Sequence, residues 1–118
     1  MALAHELPIY KATFDLCKEV FTCVRNMPRD VKHTLGEKLM TECADMVVLI
    51  LRANVSKHKA QHIDELRERL QVVELMFRLL SDMRCIDLRR FAAATVLTAT
   101  IGKQATGWKK STAASPAT

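Results

Sequence analysis

The stretch HIDELRERLQVVELMFRLLSDM, residues 62–83, decides how this chain must be built. Ile63, Leu66, Leu70, Val73, Phe77 and Leu80 recur at steps of three and four over about five turns, which puts them on one side of an α-helix. Leu75, Met76, Leu79 and Met83 add a second, broader apolar face. The charges between them, Glu65 with Arg69 and Asp64 with Glu68 against Arg67, read as a solvated side carrying ordinary helical pairs. An apolar face this wide has to be covered by neighbouring elements.

Reading outward supplies them. On the N-terminal side, the polar link NVSKHKAQH (54–62) joins this helix to one expected from about Thr34 to Ala53. Leu35, Leu39, Met46 and Ile50 form one face of it, and Met40, Val47 and Leu51 widen that face. From Cys43 to Leu51 apolar residues cover nearly the full circumference, so neighbours in the bundle or another subunit must cover them. RDVKHTLG (29–36) is expected to be a connection with room for a helical turn. Before it, Pro8 suits the first turn of a helix, whose stripe reads Tyr10, Phe14, Cys17, Phe21 and Val24. That helix should end near Asn26, because Pro28 pushes Met27 out of helical geometry.

On the C-terminal side, MRCID (83–87) is a short turn, Asp87 an N-cap and Leu88 the first residue of a last helix. Its lean face is Phe91, Ala94, Leu97 or Thr98, Ile101, Ala105 and Trp108. The fold class is therefore all-α: an up-down-up-down four-helix bundle in a single domain over residues 1–111, with residues 112–118 a disordered C-terminal tail.

Composition narrows the chemistry. Glycine, proline and aromatic residues are few, which disfavours a sandwich or barrel. Cys17, Cys23, Cys43 and Cys85 show no C-x-x-C spacing, sit among apolar residues and read as four buried, reduced thiols of a cytoplasmic protein. MALAHELPIY lacks the basic start and apolar run of a signal peptide, and MVVLIL (46–51) is too short to cross a bilayer, so no membrane association is expected. His58 and His62 stand four apart, but Lys57 and Lys59 beside them oppose a cation, and no metal or other cofactor is expected. No phosphate loop or paired-carboxylate cleft can be read, and the chain is expected not to be an enzyme.

Charge points elsewhere. Residues 1–87 carry as many acids as lysines and arginines, so the whole net charge of +5 falls on residues 88–118, which hold no acid. Arg89 and Arg90 open the last helix, and Lys103, Lys109 and Lys110 close it, while Arg52, Lys57 and Lys59 gather at the turn between the second and third helices. RNA or DNA is the anionic partner such groups suit best, since each neutralised phosphate releases counterions. A solvated basic end that only aids solubility is the plainer alternative. IGKQATGWKKS (101–111) sharpens the question with Gly102, Gly107 and Trp108. Two glycines in a helix cost about 1 kcal/mol each relative to alanine. Either Gly107 stops the helix, or the three residues serve packing, within the bundle or between subunits; packing is the expectation taken forward.

LPIYKATFDL (7–16), VRNMPRDVKHTLGEKLMTECADMVVLILRAN (24–54), ELMFRLLSDMRCIDLRRFA (74–92) and IGKQATGWKKS (101–111) together resemble a bacterial four-helix-bundle family. It includes the accessory variability determinant (Avd) proteins of diversity-generating retroelements and proteins encoded in intervening sequences of large ribosomal RNA genes. The resemblance implies a homopentamer, a tapered barrel of five bundles with a basic surface. It also implies a non-enzymatic accessory that binds nucleic acid and a reverse transcriptase. Arg78, in MFRLL, joins Lys103 among the basic residues that such proteins would use, and Arg89, Arg90, Lys109 and Lys110 complete the expected surface. The competing expectation is a homo-oligomeric scaffold that binds only protein partners.

Overall fold

Pro8 does open the first long helix: with no N–H to satisfy and a fixed φ, it sits in the first turn of α1, Pro8–Arg25. A 3-10 turn at Ala4–Glu6 precedes it. Asn26 caps the C-terminus and Pro28 follows, as expected. The computed structural model describes residues 3–114, and the regular elements among them are all helical.

The second helix starts earlier than Thr34. α2 runs over 29–55 as a first turn at Arg29–Val31, a widened π turn at Lys32–Gly36 and a regular stretch at Glu37–Val55. Residues on both sides of the π turn keep right-handed helical angles, so RDVKHTLG is helix rather than connection. Asp30 in the first turn suits the positive end of the dipole. The π turn places Gly36 against α1, where a Cβ would lie 3.0 Å from Val24 Cγ1 and 3.5 Å from Met27 Sδ. The glycine most closely packed is thus Gly36, at the corner between the first two helices, where there is no room for a side chain much beyond a methyl.

α3 covers Lys59–Asp82 and α4 covers Leu88–Ala114. Each helix packs chiefly on two others, α1 on α2 and α4, and α3 on α2 and α4, so chain order runs round a square. The bundle is up-down-up-down and measures 50 × 21 × 21 Å. All six residues of the α3 stripe are buried in its core, with Leu16, Leu39, Met46, Ile50 and Ile101 facing them. Each large side chain so placed contributes roughly 1.5–3 kcal/mol.

The α1 stripe was misplaced. Ile9, Ala12, Thr13, Leu16, Val20, Cys23 and Val24 are buried, whereas Phe14 and Phe21 are 49% and 52% exposed. Small Ala12 and Thr13 let the neighbouring helices approach, and the larger rings are left on the flank of α1. The second face of α3 is likewise divided: Met76 is buried, while Leu75, Leu79 and Met83 are exposed. On α2, Met40, Val48 and Leu51 are exposed. Neighbours within one chain leave this much of the apolar girth uncovered.

The turn before α4 closes as a Schellman motif. The Cys85 N–H donates to Leu80 O at 2.8 Å and the Arg84 N–H to Ser81 O at 3.0 Å. Arg84 therefore holds φ at 60°, a position glycine usually fills. The left-handed geometry costs an L-residue about 1–2 kcal/mol, and glycine's extra freedom in the unfolded chain offsets about 0.5–1 kcal/mol of the relief. Arg84→Gly is expected to stabilise by up to about 1 kcal/mol, near 4 °C in Tm for a chain this size. A thermal melt showing a decrease would contradict that origin of the strain. Asp87 then caps α4, its Oδ1 accepting from the Arg90 N–H at 2.7 Å.

At the other end α4 passes through Gly107 and Thr112 to Ala114, so Gly107 does not stop it and the expected tail from residue 112 begins as helix. Residues 115–118, the rest of that tail, lie outside the described residues.

Candidate nucleic-acid surface

Five of the six expected cationic contacts sit on α4, and the helix sorts them by register. Arg89, Lys103 and Lys110 are separated by 14 and 7 positions, so they share one stripe on the side away from Ile101 and Ala105. All three are exposed, and none has an ion-pair partner among the described residues. At 1.5 Å per residue the stripe spans about 31 Å. Ala92, Val96, Ala99 and Gly107 lie between these cations, and α4 carries no acid. Arg89 also stands in the first turn of a helix, where the dipole disfavours a cation. Helix stability therefore gives no reason for it.

The other three are placed differently. Arg78 is exposed on α3 and edges a groove shared with Phe91, Thr95 and Thr98 of α4. Arg90 is bound to Glu19 of α1 at 3.3 Å, and Lys109 to Asp64 of α3 at 2.6 Å. Both tie α4 to a neighbouring helix, because the register that takes them off the outer stripe points them at an acid on that neighbour. Lys59 is also spoken for. Its Nζ donates to the carbonyls of Ala53, Asn54 and Ser56 at 2.9–3.0 Å, capping the C-terminus of α2. Arg52 and Lys57 remain exposed at that end.

Gly102 and Gly107 cannot admit the same neighbour, since five residues turn a helix through about 140°. A Cβ on Gly102 would lie 3.6 Å from Leu70 Cδ2, an ordinary contact within the bundle, and one on Gly107 would meet nothing within 4 Å. Trp108 is half-buried and packs against the bundle's own core. Gly107→Ala is consequently expected to stabilise the isolated chain by about 1 kcal/mol through helix propensity alone. A fall in stability, read by denaturant titration at fixed protein concentration, would place another surface against Gly107.

One interhelix ion cluster escaped the sequence. Glu42 on α2 is only 2% exposed. Both its carboxylate oxygens accept from Arg69 Nη1 of α3 at 3.1 Å, and Lys38 Nζ lies 3.2 Å from Oε1. Burial works to raise its pKa, but the hydrogen bonds and charges of Lys38 and Arg69 prevail and hold it below the usual carboxylate value. Arg69 is thus more than a solvated residue pairing with Glu65, although the Glu65 contact also exists at 3.9 Å. The only hint in the sequence was an acid immediately before the apolar circumference of Cys43–Leu51.

All four cysteines are free, but only Cys23 and Cys43 are buried. Burial, with Glu19 nearby, pushes the Cys23 thiol up to about 11. The Cys43 thiol is also raised, by its hydrogen bond with Cys17 and by burial. Both are poor nucleophiles near neutral pH. Among the described residues no three of His, Cys, Asp and Glu converge as a metal-ligand set, and no helix is long and apolar enough to cross a membrane.

No curated protein matches the chain. A family model described as bAvd-like matches residues 7–112, from the residue before Pro8 almost to the end of α4. A four-helix bundle with its excess positive charge confined to one acid-free helix is therefore a member of the bAvd-like family.

Proposed function

We propose that this protein is a non-enzymatic, homo-oligomeric accessory of a bacterial retroelement that binds RNA or DNA electrostatically and serves a reverse transcriptase in the cytoplasm. The observation that carries the proposal is the outer stripe of α4, where Arg89, Lys103 and Lys110 stand exposed with no acid on their helix. Arg78 extends it toward α3. Assembly, as a pentamer on the family resemblance, repeats the stripe in each copy, so weak individual contacts add as avidity. The uncovered apolar residues of α1, α2 and α3 support assembly. Arg90 and Lys109 are removed from the expected contact set, because each has an acidic partner within the chain.

Salt-dependent binding tests the proposal. Affinity for a duplex, read by fluorescence anisotropy, should fall with salt, and Arg89→Gln, Lys103→Gln and Lys110→Gln together should flatten the log–log slope by about 2.7, at 0.9 per phosphate contact. Affinity at low salt should drop at least ~10-fold. An absence of binding at low salt would favour the second reading, a homo-oligomeric scaffold for protein partners only. The same exposed apolar faces support that reading.

A further inference from the structure

Two of the four thiols meet across a helix seam. Cys17 of α1 and Cys43 of α2 are 26 positions apart in the chain, yet the Cys17 thiol donates to Cys43 O at 3.6 Å. The two thiols are also hydrogen-bonded to each other. They differ in access. Cys17 is half-buried on the flank of α1, with exposed Phe14 three positions before it and exposed Phe21 four after it on the same side. Cys43 is only 1% exposed. At Cys17 the hydrogen bond with Cys43 outweighs burial and holds the thiol below its ordinary value, so Cys17 is the member of the pair that ionises. Cys23 and Cys85 are placed differently, their thiols donating to Glu19 Oε1 at 3.8 Å and to Met83 O at 3.9 Å. The cationic surface of α4 uses none of the four.

We propose that Cys17 and Cys43 are a hydroperoxide-sensitive thiol pair, which closes a reversible disulfide and locks α1 to α2. A sulfur seated against the backbone of residue 43 is within rotamer changes of that residue's own sulfur. The Cys17 thiolate attacks one oxygen of the hydroperoxide and the O–O bond breaks. The departing alkoxide takes up the proton that Cys17 lost and leaves as an alcohol, or as water from hydrogen peroxide, and Cys17 becomes a sulfenic acid. The contact with Cys17 is the largest cause that raises the Cys43 thiol, and this step removes the thiolate behind it. The Cys43 sulfur then attacks the Cys17 sulfur. The S–O bond breaks, and hydroxide leaves as water with the Cys43 proton. Two thiols lose two electrons, and one hydroperoxide gains them. The bond closes a loop that contains the Gly36 corner, which restricts the unfolded chain. Thiols of a reducing compartment reopen it by exchange. The pair lies within one chain, so the proposal is independent of the nucleic-acid and oligomer readings above.

Peptide mapping of the full chain tests it. The reduced parent is treated with a few equivalents of hydrogen peroxide, blocked with iodoacetamide and digested without reductant. Mass spectrometry should find one linked pair of peptides, joining Cys17 to Cys43, with Cys23 and Cys85 still free. Before digestion, the oxidised chain should melt roughly 10 °C above the reduced one, and dithiothreitol should abolish the difference. Cys43→Ala should leave Cys17 with no resolving partner, so that its sulfenic acid accumulates and is trapped by dimedone. Cys17→Ser should give neither the bond nor a dimedone adduct at Cys43. Circular dichroism checks that both variants stay helical, and the parent's map decides the question if either does not. A parent that keeps both thiols while Cys85 oxidises, or that links Cys17 to any other cysteine or to a second chain, would overturn the pair. A dimedone adduct on Cys43 instead of Cys17 would overturn the order of attack. A Cys17–Cys43 bond that leaves the melting temperature unchanged would overturn the lock.

Discussion

Gly36→Leu is expected to lower the melting temperature of the bundle by about 10 °C. Gly36 is buried where α2 turns off α1, and even a Cβ there would come within 3.0 Å of Val24 Cγ1. Val24 and Met27 are themselves buried, so neither can swing out to make room. Forcing the remaining carbons of a leucine into this corner costs about 3 kcal/mol or more. Losing glycine from a helix returns somewhat less than 1 kcal/mol. The clash wins by about 2–3 kcal/mol, and about 4 °C per kcal/mol gives the stated shift for a chain of this size. Gly36→Ala sets the two terms nearly equal, because Val24 must yield only a few tenths of an ångström, so it should melt within about 2 °C of the parent. Both are read at one protein concentration, since self-association also moves Tm. A Gly36→Leu chain that melts with the parent would mean the corner is looser than described.

Glu42→Ala should cost about 2 kcal/mol at neutral pH, the size expected for losing hydrogen bonds between charged groups. Lys38 and Arg69 can turn toward solvent once the carboxylate is gone, which keeps the loss from growing larger. The pH dependence follows from the lowered pKa of Glu42 in the folded state. A group of this kind contributes fully above its unfolded value, about 4.3, and loses the contribution as pH falls through the lower folded value. The gap between parent and variant should therefore be constant above about pH 5.5 and narrow as the pH falls below about 4. Urea midpoints across that range measure it. A gap that persists unchanged at pH 3 would show that shape, not charge, makes Glu42 matter. Glu42→Leu with Arg69→Met should recover part of the lost stability, because the buried carboxylate and its Arg69 partner are then both replaced by apolar groups and exposed Lys38 can turn to solvent.

The helices themselves could be read along the chain. The α3 stripe needed only its period and its length, and the caps at Pro8, Asn26 and Asp87 are local chemistry that neighbouring residues settle. The cationic excess of the last helix was equally plain, because charge adds up without any knowledge of folding. Period alone could not place the α1 seam. Phe14 and Phe21 repeat as regularly as Leu16 and Val20 do, and the choice between the two stripes depends on which offers small residues, Ala12 and Thr13, to an approaching helix.

What the amino-acid order determined by itself is therefore everything governed by contacts within a turn or two: helix type, approximate limits, caps, and the count of free charge. Only tertiary structure decided which side chains met across helices. It pressed Gly36 close against Val24 and left Gly107 facing open space, drew Glu42 beneath Arg69, and divided five cations of one helix into three that face outward and two held by Glu19 and Asp64. The physical reason is that burial and ion pairing depend on distances between residues far apart in sequence, 27 positions for Arg69 and Glu42, 45 for Lys109 and Asp64 and 71 for Arg90 and Glu19. A one-dimensional pattern carries no such distances until the helices have chosen their neighbours.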